Sequence, residues 1–382
     1  MLDMGNFITG PYAGMLLADL GAEVIKVERP GSGDAFRSFK GGLYSPHFQA
    51  YNRNKKSLTL NVNNEKGKKI LLELIKKTDV FIENFRPGVT AKLGIDEKTL
   101  RSINRKLVYC SITGFGRDGP YVHRPSYDTV AQGLSGMLSL FLDKSNPRII
   151  GPAFSDGLTG LYACYGILAA LIEREKTGFG RIVETNMLES TLHFMTETYS
   201  SYFVTNDVPG SYSRAIVSQS YSFVCEDGLS LAIHLSSPTK FWESLLIVVG
   251  KEAMNADPRF DSRERRIQNY EQLQQELAVC FRRKPRAYWI ERLETYDVPF
   301  TPVYTTEEVV TDSQVKHLDT IYEVEHRTEG SLKGIKSPIY FNGSRNNTVK
   351  PPPVLGENTE EILNKMGLSQ GEIQSLRVEG VI

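Results

Sequence analysis

The sequence is poor in metal-binding and redox spacings. Its four cysteines, Cys110, Cys164, Cys225 and Cys280, are widely scattered and form no CxxC. Its six histidines form no HxxxH or similar pair. No metal site is therefore expected, and the cysteines read as free thiols in a reducing, cytoplasmic setting. A surplus of one charge is missing too, because 45 basic residues balance 45 acidic ones. No global field favours nucleic acid, so an anionic ligand must be held by local charges. Long hydrophobic runs are also absent. The longest, 161–172, is about a dozen residues, short of the ~20 that cross a bilayer, so no membrane is expected as a partner. Met1-Leu-Asp-Met-Gly-Asn6 lacks the basic start and apolar core of a secretory signal.

What is present is an α/β pattern. A chain of 382 residues suggests two domains. Leu2–Met4 can start a strand, Gly5–Gly10 is a loop, and Pro11 suits the first position of a helix that stops at Gly21. Glu23–Glu28 is the next strand, which completes a βαβ unit and predicts a parallel sheet. Further strands are read at 57–62, 79–84, 107–112 and 181–186, with an amphipathic helix over 66–77. Glu226-Asp-Gly228 between two short apolar runs signals a hairpin. The predicted organisation is a large domain over 1–200, a linker and small α+β domain over 201–302, and a return linker with the rest of the large domain over 303–382. Asn358 offers an N-cap near the end, with Glu361 three residues on.

Several loops can carry chemistry. Gly5–Gly14 opens the first helix, but its glycines do not have the GxGxxG spacing of a dinucleotide fold. Glu28 is the acidic residue such a fold would use, so a nicotinamide enzyme is only a runner-up. The same loop could offer amides to a phosphate or to coenzyme A. Arg29 stands at a strand's carboxyl end, where open α/β sheets bind ligands. Asn52-Arg-Asn-Lys-Lys56 reads as a solvated basic turn, and Asn84-Phe-Arg-Pro-Gly88 with Lys92 as a third candidate binding loop. Asp128 fits the N-cap of its own helix. Asp156, bounded by Gly151, Gly157 and Gly160, opens an apolar helix that reads as buried all round. A helix N-terminus would keep that carboxylate ionised, by ~0.3–1 kcal/mol. Asp156 either caps this helix or does chemistry.

In this order and spacing the chain resembles the class III CoA-transferases, the family of formyl-CoA transferase and carnitine CoA-transferase. The resemblance rests on Gly10-Pro-Tyr-Ala-Gly14, Leu20–Pro30, Gly31-Ser-Gly-Asp34, Asn52–Ser57, Glu83–Gly88, Gly114-Phe-Gly116, Tyr127–Gln132, Asp156–Gly160, Gly166–Leu171, Asp227-Gly228 and Pro352–Thr359. It implies a Rossmann-like large domain with a parallel sheet, a smaller α+β domain, and an interlocked homodimer. It places the nucleophile at Asp156, with Tyr127 and Asp128 in support. It puts coenzyme A contacts at Phe7, Ile8, Thr9, Arg29, Leu60, Asn84, Phe85 and Lys92. It implies an acyl-CoA donor, a carboxylic acid acceptor, and no permanently bound cofactor, the CoA thioester being a substrate.

The implied mechanism runs through an aspartyl anhydride and then an aspartyl-CoA thioester. A related branch racemises α-methylacyl-CoA esters with a His-Asp pair, where this chain has Tyr127-Asp128. Tyrosine, with a pKa near 10, is a poor base for that chemistry. A racemase and a non-catalytic CoA-binding protein remain the alternatives. The glycine run found early in the small domain of formyl-CoA transferase is replaced here by Ser218–Phe223, and His234–Pro238 is expected to line the acceptor side.

Overall fold

The computed structural model describes residues 1–236, 239–346 and 348–382. The chain forms two compact units, one of Met1–Ser200 with Asp319–Ile382, the other of Ser201–Leu318.

The first unit is built on six parallel strands. They are β1 (Leu2–Asp3), β2 (Val24–Glu28), β3 (Lys55–Thr59), β4 (Val80–Glu83), β5 (Val108–Thr113) and β6 (Ile182–Asn186). Their order is β3-β2-β1-β4-β5-β6, that of a doubly wound Rossmann-type sheet. β4 and β5 are buried along their whole length, as central parallel strands covered on both faces should be. One face carries the helix Glu65–Ile75 and two helices from the far end of the chain, Thr359–Lys365 and Gln370–Val378. Leu58, Leu71, Phe81, Leu363 and Ile373 fill that layer. The other face carries α1 (Thr9–Asp19) and, after α2 (Asp128–Leu134), the long α3 (Phe154–Thr177). Ala13, Leu17, Ile82, Ala163 and Ile167 fill this second layer.

Several local expectations change. α1 begins at Thr9, so Pro11 is its third residue rather than its first. Asn358 does not cap the helix after it. Its Oδ1 instead accepts the Ser57 N–H at 3.1 Å and ties the chain's end to β3. The basic turn 52–56 is not a solvated one. Arg53 pairs with Asp19 at 2.6 Å and Lys55 with Asp3 at 2.8 Å, both largely buried.

α3 corrects the expectation of burial all round. By length and composition it could cross a membrane. Its Ala163, Ile167 and Ala170 pack into the core instead. The sheet and α1 cover only that side. Leu161, Tyr165, Leu168 and Ile172, at helical spacing, form an exposed apolar stripe.

The second unit pairs β7 (Ser220–Val224), β8 (Ser230–His234) and β9 (Phe300–Pro302) into an antiparallel sheet, with the hairpin at 226–228. The sheet packs on helices through Trp242, Leu245, Leu273, Phe281 and Trp289. This unit runs on to Leu318, beyond the expected return at 303. Val303 N–H bonds to Ser230 O at 2.9 Å and Arg286 pairs with Glu308 at 2.5 Å, which hold the following segment to the unit. Of the expected acceptor segment 234–238, His234 ends β8, while Ser237 and Pro238 lie outside the described residues.

Candidate active site

The strand order reverses between β1 and β4, and open α/β sheets bind ligands at such a point, outside the carboxyl ends of the strands. The loops that leave β1 and β4 there are cross-linked by one side chain. Asn84 accepts the Asn6 N–H at 2.8 Å and donates to Asn6 O at 2.8 Å and Thr9 Oγ1 at 2.9 Å.

Buried charge holds the first of these loops. Phe7 has φ +62°, a left-handed conformation unusual for an aromatic residue. Asp34 Oδ1 accepts the Phe7 N–H at 3.1 Å and the Phe36 N–H at 2.9 Å. Asp34 also pairs at 2.8 Å with Lys26, both side chains fully buried. Lys26 Nζ in turn donates to Gly5 O at 2.7 Å, and Asp3 accepts the Gly5 N–H at 2.8 Å. Burial opposes the charge on Lys26, yet Asp34, Asp3 and Glu28 raise its pKa above the usual lysine value. The amides of Gly5, Asn6 and Phe7 are thus already taken and are not available to a phosphate, contrary to the glycine-loop expectation. α1 starts just beyond them without a side-chain cap.

Glu28 is not available to a ribose either. Arg37 donates to its two oxygens at 2.7 and 2.8 Å and Ser57 donates at 2.6 Å. That removes the residue on which a nicotinamide reading depended.

Asp156 lies in the first turn of α3, whose N-cap residue is Ala153. It caps nothing. The cap comes from Asp128, the first residue of α2. Its Oδ1 accepts the N–H of Ser155 at 2.8 Å and of Asp156 at 3.3 Å, and its Oδ2 accepts from Gln132 at 2.5 Å. Asp128 therefore caps α3 rather than its own helix, where Tyr127 holds the cap position. Among the described residues the Asp156 carboxylate accepts no hydrogen bond. Burial, and then the charge of Asp128, push its pKa up to about 7. A helix N-terminus is worth ~0.3–1 kcal/mol, less than one pKa unit, and does not offset them. Asp156 is therefore only partly ionised near neutral pH, less than the helix N-terminus alone suggested. Gly160 lets α3 sit close on α1, since a Cβ there would lie 2.9 Å from the Tyr12 ring and 3.0 Å from Thr9 O. Nothing stands near a Cβ at Gly157, so the backbone beside Asp156 is open to a substrate.

Asp156 shares a cavity of about 290 Å3 with Phe7, Ile8, Thr9, Asn84, Phe85 and Tyr127. The Tyr127 ring stands edge-on to Phe7, 6.0 Å between centroids. Three expected contacts are not on this wall. Arg29 is exposed just after β2, Lys92 is exposed on the short helix Val89–Leu93, and the Leu60 side chain is buried in the core. Leu60 N–H bonds to Glu28 O at 2.7 Å, which places Leu60 and Arg29 near the carboxyl ends of adjacent strands. The wall also includes residues without an assigned role, Phe115, Arg124 and Met187 among them. Arg86 and Arg124 line it with no carboxylate partner among the described residues, and Arg124 lies 4.4 Å over the Tyr121 ring.

The model of CoA-transferase family III matches residues 1–359. The chain belongs to CoA-transferase family III. It is 32% identical over 389 residues to the succinyl-CoA:glutarate CoA-transferase of Mus musculus, covering 100% of this chain and 89% of that one. It is 32% identical over 403 residues to a formyl-CoA:oxalate CoA-transferase of Streptomyces avermitilis, covering 100% and 98%. Among solved structures it resembles a CAIB/BAIF family protein from Brucella suis, with TM-score 0.84 and 29% identity over 96% of this chain and 97% of that one. A class III CoA-transferase takes CoA thioesters as substrates.

Proposed function

We propose that this class III CoA-transferase moves coenzyme A from an acyl-CoA donor to a carboxylic acid through a covalent intermediate on Asp156. One observation carries the reading. Among the described residues the Asp156 carboxylate accepts no hydrogen bond, and it lines a cavity shared with the loops of β1 and β4. In the first step Asp156 attacks the thioester carbonyl, an Asp–acyl anhydride forms, and the C–S bond breaks to release CoA thiolate. The thiolate attacks the aspartyl carbonyl, leaving an aspartyl-CoA thioester and the free donor acid. The acceptor carboxylate then attacks that thioester, breaking its C–S bond and forming a second mixed anhydride on Asp156. The released thiolate attacks the acceptor's acyl carbonyl to give the new CoA ester and the free Asp156 carboxylate. Each step exchanges one acyl bond for another, so no redox partner is needed.

The acceptor class is a short dicarboxylic acid. The named relatives act on glutarate and oxalate, and Arg86 and Arg124, which have no carboxylate partner among the described residues, suit an anion. The assay is transfer from succinyl-CoA to glutarate, oxalate or a monocarboxylic acid of similar length, read by mass spectrometry of the CoA esters. A new dicarboxyl-CoA ester with ping-pong kinetics is expected. Deuterium wash-in at the α-carbon without any acceptor would contradict it and favour a racemase.

The pH dependence follows from Asp156. Only the ionised carboxylate is a nucleophile, so kcat/KM should rise through about pH 7 and be roughly tenfold below its plateau one pH unit lower. Asp128→Asn keeps an oxygen for the α3 amides but removes the neighbouring charge. The rising limb should then move to lower pH, and an unmoved limb would contradict the assignment.

Two copies are inferred to form an interlocked homodimer that covers the stripe Leu161, Tyr165, Leu168 and Ile172. A single-chain mass in light scattering would refute this.

A further inference from the structure

Glu83 is the last residue of β4, and the mechanism above does not use it. Only 3% of it is exposed. Its Oε2 accepts the Phe85 N–H at 2.8 Å. Tyr109 and Ser111 of β5 and Arg117 beyond β5 face it, with the Cys110 thiol nearby. Arg117 is committed elsewhere, to Glu97 at 2.9 Å and to Glu184. A small cavity of about 100 Å3, bordered by Glu83, Pro87, Thr90 and Thr113, lies behind the loop.

A buried carboxylate without a close cation is costly to keep. Burial accordingly pushes its pKa up to about 7. What it holds is the amide immediately after Asn84, the residue that joins the two loops of the switch point. Fixing the Phe85 amide fixes the turn Asn84–Gly88. Through the three Asn84 hydrogen bonds it also fixes Asn6–Thr9. Both segments border the Asp156 cavity.

We propose that Glu83 is a positioning residue for the coenzyme A end of the substrate, acting through the Phe85 amide and the Asn84 cross-link. The proposal rests on the CoA-transfer reading. Glu83 touches no reacting atom, so its loss should weaken CoA binding and leave the chemistry at Asp156 intact.

Two variants test it. Glu83→Met fills the same space, removes the cost of a buried carboxylate and lacks an acceptor. Glu83→Gln keeps an acceptor oxygen for the Phe85 N–H. Coenzyme A binding is measured by calorimetry, kcat and KM for the acyl-CoA by steady-state assay, and folding by near-UV circular dichroism. For Glu83→Met, Kd and KM should rise roughly tenfold, with kcat within about twofold. Glu83→Gln should restore both to within about twofold. Wild-type binding by a folded Glu83→Met, or a loss confined to kcat, would overturn the positioning role. So would a Gln variant as impaired as the Met variant. A wild-type enzyme that binds no coenzyme A would remove the underlying reading instead, a different and separately visible failure.

Discussion

Asp156→Asn is expected to lower kcat roughly 10^4-fold or more while the protein folds normally. The amide is close in shape to the carboxylate but cannot form the anhydride. No cap is lost, because Asp128 caps α3. The substitution should even stabilise the fold at neutral pH. The Asp156 pKa is raised from an ordinary value near 3.9 to about 7. Stability linked to this group is fully present below the lower value and is lost as pH rises toward 7 and beyond. Asn carries no such penalty. The Tm of the variant should therefore exceed that of the wild type above pH 7 and converge with it near pH 4. A variant that loses Tm along with activity would mean that Asp156 is a structural residue.

Asp34→Ala is expected to cost the most stability, about 3–5 kcal/mol, or a Tm lower by on the order of 10 °C. It takes from the buried Lys26 its paired carboxylate, leaving the weaker pull of Asp3 and Glu28, and leaves the amides of Phe7 and Phe36 without their acceptor. Phe7 would then have no partner for its left-handed backbone. The paired change Lys26→Met with Asp34→Leu removes both charges and should recover much of the stability. It should not recover substrate binding, because the Phe7 amide is still unheld. Thermal melts of the single and paired variants measure the first effect, and KM for the acyl-CoA the second. Equal melting points for the single variant and the wild type would show that the buried pair does not hold this loop.

Much of the site was legible because its parts are local. A carboxylate among glycines at a helix mouth marked Asp156, and the turn residues of 5–10 and 84–88 marked two loops that border its cavity. The alternation of strand and helix patterns was enough for a parallel sheet. What could not be read were partners distant in sequence. Asp128 looked like the cap of its own helix because the sequence shows only the residues that follow it. Its actual partners, the amides of Ser155 and Asp156, come from another helix. The same holds for Lys55 with Asp3 and for Asn358 with Ser57. The turn at 52–56 read as solvated because charge suggests solvent, whereas acidic partners allow it to be buried. In α3, apolar residues around the whole circumference concealed that one stripe lacks a cover within this chain. Leu60 was expected at the ligand, but its side chain belongs to the core.

The measurement that bears most directly on the account is peptide mass spectrometry of the enzyme after mixing with succinyl-CoA, with hydroxylamine present as a trap. The account predicts a hydroxamate on Asp156, formed only when an acyl-CoA is added and absent from Asp156→Asn. Turnover with no adduct on Asp156, or an adduct on another carboxylate, would contradict it.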